Sequence, residues 1–214
     1  DNVKTFYRAK VNSSEAIVRR AEASKEQQRS VLAENGVSVV PPSLEQLERV
    51  IEGETDSDTL KDELGVGVAT EQPPASDETA PVPAPETNAP APLTEEEREE
   101  QTRRSVDSAV KALYAYEVEL MADLGALKQE AMDEYHALPE EEQTNDNKIR
   151  IGYSYLKRCY AMEVEADKRV KAILNGLRSE LTALGADTKL ADTLWQSYCE
   201  EKATAKEYYL NKYL

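Results

Sequence analysis

Residues 94–139 read TEEEREEQTRRSVDSAVKALYAYEVELMADLGALKQEAMDEYHALP. No proline interrupts the stretch before Pro139, and apolar residues recur at alternating steps of three and four: Val106, Val110, Leu113, Leu120, Leu124, Leu127, Ala131 and Leu138. Such spacing keeps one face of a helix apolar, and it predicts a single long helix with a coiled-coil period. Thr94 followed three residues later by Glu97 is a capping-box pattern for its start. Completing the frame puts Glu117 and Glu134 in the seam.

Outward from this stretch the pattern repeats. Pro139 and the polar run EEEQTNDN break the chain, and a second frame follows: Ile149, Gly152, Leu156, Cys159, Glu163, Ala166, Val170, Ile173, Leu177, Glu180 and Leu184. Gly185 is its expected stop. Asp187 or Thr188 caps a last helix carrying Leu190, Leu194, Tyr198, Ala205 and Tyr209 on one side. Two short connections make the three helices antiparallel neighbours. The expected fold is all-α: an elongated antiparallel three-helix bundle over residues 94–214.

Ahead of it, residues 68–93 are rich in Pro, Ala, Thr and Glu, hold most of the chain's prolines and have no aromatic residue. Proline removes backbone donors and fixes φ, so a solvated, disordered linker spanning roughly 75 Å is expected. Residues 1–67 are expected to form an N-terminal helical segment with an acidic tail and little core of its own. Asn35-Gly36 is a helix stop, and Ser43 with Gln46 caps a second helix.

Charge is uneven. Of the formal net charge of −16, the larger part falls around the linker. A strongly acidic chain without clustered Lys and Arg is unsuited to nucleic acid. No apolar run approaches the ~18 residues of a membrane span. The chain begins at Asp1 with methionines only at 121, 132 and 162, so its natural start is expected to have been removed, leaving room for an anchor before Asp1.

Catalytic patterns are missing from the sequence. Asp133-x-x-His136 contains the only histidine, whereas a di-iron bundle needs two Glu-x-x-His motifs. Residues 52–63, EGETDSDTLKDE, resemble a calcium loop, but Ser57 stands where the turn demands glycine. Folding the helices straight back puts Cys159 and Cys199 roughly 19 Å apart, too far for a disulfide. No P-loop or nucleophile elbow occurs. The chain therefore reads as a non-enzyme with no cofactor and no metal.

Three interaction features remain. Ten of the eleven tyrosines lie after the linker, and Tyr208, Tyr209 and Tyr213 are the candidate partner-facing residues. Glu134 falls level with Arg150 on the next helix, an ion pair that would set the register of the hairpin. Gly125 falls level with Cys159, and Gly152 with Met132, where those two helices could approach closely.

The segments Tyr135-His136-Ala137-Leu138-Pro139-Glu140, Lys148, Ile151-Gly152, Tyr155-Leu156, Glu163-x-Glu165-Ala166-Asp167, Glu201-Lys202 and Lys206-x-Tyr208-Tyr209 resemble a helical module of uncharacterised Gram-positive anaerobe proteins, often found after an N-terminal membrane segment. The resemblance covers about residues 105–214. It implies a surface or membrane-anchored setting and carries no activity; this sequence contains no membrane segment. The expected function is a protein-interaction or structural module, displayed at the cell envelope on its spacer and binding a protein partner. The alternative is an intracellular or phage scaffolding protein that self-associates through its heptads.

Overall fold

A computed structural model describes residues 12–67 and 93–213. The expected linker lies outside the described residues, as do residues 1–11. Six α-helices run in order among the described residues: α1 Ser14–Glu34, α2 Leu44–Ile51, α3 Ser57–Glu63, α4 Glu95–His136, α5 Asn145–Leu184 and α6 Lys189–Tyr213, with a 3-10 turn at Glu140–Glu142. No strand is present among them, and the protein is all-helical.

Helix ends follow local chemistry. Thr94 and Glu97 form a reciprocal capping box on α4, as Ser43 and Gln46 do on α2. Each side chain satisfies a backbone N–H that the first helical turn leaves open. Gly185 closes α5 at φ 70°, a left-handed conformation that costs a residue without Cβ little. The run 52–63 is largely a turn and a helix, with Asp56 capping α3 by accepting from the N–H groups of Asp58 and Thr59.

Helix α4 packs along α5, α5 along α6, and α6 along α1. Along each interface the partner numbers fall as the helix numbers rise: Glu130 with Arg158 and Glu134 with Tyr155, Asp167 with Lys202 and Arg178 with Asp192, Ser14 with Asn211 and Arg20 with Glu207. Neighbours are therefore antiparallel. All four helices feed one core, which includes Leu32 of α1, Val106, Val110 and Tyr114 of α4, Val170, Leu174 and Leu177 of α5, and Ala191 and Leu194 of α6. A second cluster joins Leu47, Val50 and Ile51 of α2 and Leu60 of α3 to Val118 and Met121 of α4.

Residues 1–67 were set apart from the bundle by sequence alone, yet α1–α3 lie directly on it. The apolar side chains of α1–α3 are too few to make a core among themselves, and they complete the one that α4–α6 leave open. This also widens the buried surface of α4. Val118 and Met121 are buried because α2 and α3 cover a flank outside the three-four frame, and Tyr114 is buried in the core shared with α1, α5 and α6.

The close approach at Gly125 is to α2 and not to α5. A Cβ built there would lie 2.7 Å from the Ile51 carbonyl oxygen, whereas Gly152 has open space around it. On α5 the frame is also displaced: Ile151 is buried at 3% exposure, while Ile149 is 58% exposed.

Candidate functional site

The connection from α4 to α5 is stitched by its own polar groups. The Tyr135 hydroxyl donates to the Gln143 carbonyl at 2.7 Å, and the Gln143 side chain donates to the Leu138 carbonyl at 3.0 Å. Asn147 donates to the Glu142 carbonyl at 2.8 Å. This turn sets α5 about one helical turn away from a straight fold-back, which decides where the expected register pair goes. Glu134 faces Tyr155 and not Arg150. Partial desolvation and then the Glu134 carboxylate push the Tyr155 hydroxyl up from its ordinary value. Arg150 donates instead to Asn147 on its own helix at 3.3 Å, and the ion pair across this end of the hairpin is Arg158 with Glu130 at 2.7 Å.

The displacement turns an apolar stripe outward. Ile149, Tyr153, Tyr160 and Val164 are all exposed, and half-buried Leu156 lies between them. Steps of four, seven and four place them on one side of α5 over about 22 Å. From Tyr160 upward the same side of α5 is met by α6: Lys206 lies 5.8 Å from the Tyr160 ring centre, Lys202 and Lys206 bind Glu163, Lys202 and the Tyr198 hydroxyl bind Asp167, and Lys171 lies over the Trp195 ring. The open part of the stripe is therefore its lower half. Along one flank of the stripe stand Arg150 and exposed Lys157, neither with a carboxylate partner among the described residues. The stripe is thus an apolar helix face with a basic edge. Asp146, in the first turn, is the carboxylate on that face left without an ion pair among the described residues.

The C-terminal tyrosines are engaged within the chain. Tyr208 donates to Glu48 of α2 at 2.8 Å, and Lys212 binds the same carboxylate. Tyr209 packs against the cluster that holds α2 and α3 on α4. The Tyr213 side chain lies outside the described ones. Tyr208 and Tyr209 therefore meet α2, which sequence alone had no means of placing there.

A second polar locus lies inside the packing. Helix α1 buries Ile17, Ala21, Lys25, Gln28 and Leu32, so two of the five positions on its inner stripe are polar. The Lys25 ammonium meets Glu117 of α4 at 3.3 Å. Glu117, a seam residue in the sequence reading, is thus neutralised from α1. Close by, Glu201 Oε1, Gln28 Oε1 and the Tyr114 hydroxyl are enclosed without a hydrogen-bond partner among the described residues. Burial first, then Glu117, pushes the Glu201 carboxyl up to about 7. Glu201 falls in the three-four frame between Tyr198 and Ala205, but that it meets Glu117 and Lys25 was illegible in the sequence because those residues lie on helices far away in the chain.

Elsewhere the chemistry is ordinary. Cys159 and Cys199 are free and half-buried, and burial pushes both thiols up. A groove of about 610 Å³ between α1 and α2 is lined by charges of both signs, among them Arg19, Lys25, Glu45 and Glu48. Its serine, Ser43, is committed to capping α2. Among the described residues no three His, Cys, Asp or Glu side chains stand together as a metal site would require, and no helix is long and apolar enough to cross a membrane. No family model, curated protein or solved structure matches the chain.

Proposed function

We propose that this protein is a non-enzymatic helical interaction module, with α4, α5 and α6 as a three-helix bundle braced by α1–α3, which docks an acidic amphipathic helix of a partner protein on the outer face of α5. The carrying observation is the stripe Ile149, Tyr153, Leu156, Tyr160 and Val164 with Arg150 and Lys157 at its edge. Contiguous apolar surface on a monomer marks an interaction site more often than not, and an amphipathic helix fits such a strip through anchors three and four residues apart. Unpaired cations at the edge select a partner with carboxylates on its flank. The Pro/Ala-rich composition of residues 68–93 supports a spacer, on which we place the module at the cell envelope.

The test uses two labelled helical peptides with the same leucine face, one flanked by glutamates and the other by lysines, titrated into the full chain by fluorescence anisotropy. The acidic peptide should bind at least about tenfold more tightly, and Tyr153→Asp or Lys157→Glu should weaken it by a similar factor. Equal binding of the two peptides, or no effect of Tyr153→Asp, would reject this surface. A concentration-dependent dimer abolished by Tyr153→Asp would also overturn the partner reading and favour self-assembly.

A further inference from the structure

The inner stripe of α1 is poorly suited to hold a helix by hydrophobic burial. Ile17, Ala21 and Leu32 are its apolar members, and Lys25 and Gln28 occupy the middle. Facing them are Tyr114 and Glu117 from α4 and Glu201 from α6. One ammonium thus confronts two carboxylates, and three polar atoms in the same region, Gln28 Oε1, the Tyr114 hydroxyl and Glu201 Oε1, have neither solvent nor a partner among the described residues. An enclosed, unpartnered carboxylate beside another carboxylate is costly when ionised and much less so when it holds a proton.

We infer that Glu201 is a proton-binding site whose occupancy sets how firmly α1 lies on the rest of the bundle. With α1 in place, Glu201 Oε1 is enclosed in a half-buried side chain, and Glu117 repels the negative form of the carboxyl. With α1 lifted away, the carboxyl is hydrated and titrates as ordinary glutamates do. The docked arrangement therefore binds the proton more tightly, so protonation and docking reinforce each other.

The charges packed around Glu201 compensate this proton site only in part. On α1, Lys25 is engaged by Glu117, and Arg29, which acts on Tyr114, pairs with Glu26. On α6 itself, Glu200 adds a second like charge. From α5, Glu163 and Asp167 are taken up by Lys202, Lys206 and Tyr198, and from α2, Glu48 is taken up by Tyr208 and Lys212. Of these only Lys25 acts on Glu201 as a cation, and its charge is shared with Glu117, so burial and the two neighbouring glutamates outweigh it.

The folded carboxyl value near 7 lies above the ordinary carboxylate range, so the proton-linked part of docking is complete only at or below that range and declines across mildly acid pH. It is lost as pH rises through about 7, and one proton limits the change in the docking equilibrium to about tenfold per pH unit. Hydrogen exchange on the full chain tests this, with amide rates in residues 17–32 corrected for their intrinsic pH dependence. Protection there should fall at least tenfold between pH 5.5 and 8.5. In Glu201→Gln it should stay level and exceed the parent's at pH 8.5. Parallel pH profiles in parent and variant would overturn the inference. A carboxyl-carbon NMR titration of the unaltered protein gives an answer even if the variant folds poorly: a Glu201 midpoint near 7 is expected, and one below 5 rejects the site.

Discussion

At Gly125, a hydrogen in place of a methyl group is what lets α2 lie down on α4. The Ile51 carbonyl oxygen and Cα stand where a Cβ would go, and both are backbone atoms that have no rotamer with which to yield. Gly125→Ala should therefore destabilise the protein by about 1–3 kcal/mol through overpacking, read as a lower midpoint in urea. An unchanged midpoint would mean that α2 shifts at no cost. Glu207 is comparable in kind: it is 2% exposed and held by Arg20 at 2.8 Å and by the Asn12 amide. Replacing Arg20 with Met leaves that carboxylate short of its charged partner and should cost about 1–3 kcal/mol. The acidic partner of Arg20 lies 187 positions away, a separation that no local pattern reveals.

Among the elements, α2 shows how caps and packing combine. Its eight residues are too short to be helical alone, so the Ser43–Gln46 box and the burial of Leu47, Val50 and Ile51 hold it together. Ser43→Ala should cost about 1 kcal/mol. The loss should appear as faster hydrogen exchange in residues 44–51, and uniform protection would place the stability of α2 entirely in its packing. Leu124 of α4 packs against the same cluster. Leu124→Asp brings an unpaired charge there and should lower stability by several kcal/mol; a melting temperature within a degree or two of the parent's would contradict the assigned face. The caps of α2 and α4 and the glycine stop of α5 were legible in the sequence, since they depend on residues a few positions apart. The α5 frame holds at Ala166, Val170 and Leu177 and is misplaced at the helix start, because Ile149 and Ile151 both suit an apolar frame and the choice between them rests on the geometry of the Glu140–Glu142 turn.

Over the whole molecule, α1–α3 and α4–α6 form a shared core, so neither part is expected to behave as it does in the full chain. Leu32, Leu47, Val50, Ile51 and Leu60 are buried through that union, and each such side chain contributes about 1.5–3 kcal/mol as an upper figure. A chain cut to residues 94–214 should melt at least about 10 °C below the full protein; equal melting temperatures would show that the first helices add nothing. Stability should also depend on pH in two directions. At Glu163 and Asp167, burial raises the carboxyls but is outweighed, by Lys206 and Lys202 at Glu163 and by Lys202 and Tyr198 at Asp167, so both fall below their ordinary values. Their contribution is present above the ordinary carboxylate range and lost as acid takes pH down through the lowered values. Glu201 acts oppositely, losing its contribution as pH rises through about 7. Thermal melts from pH 3 to 9 should peak on the mildly acidic side of neutral, and a steady climb to pH 9 would contradict the assignment. The helical class, the caps, the glycine stop at residue 185 and the antiparallel order of α4, α5 and α6 follow from residues near one another in the chain, because capping and amphipathic period are local physics. Which surface α1–α3 cover, that Gly125 serves α2, that Glu117 meets Lys25, and that Ile149 and Tyr153 face outward were decided by the fold alone: each depends on how helices distant in sequence settle their relative height and rotation, a balance of packing and burial that no single segment contains.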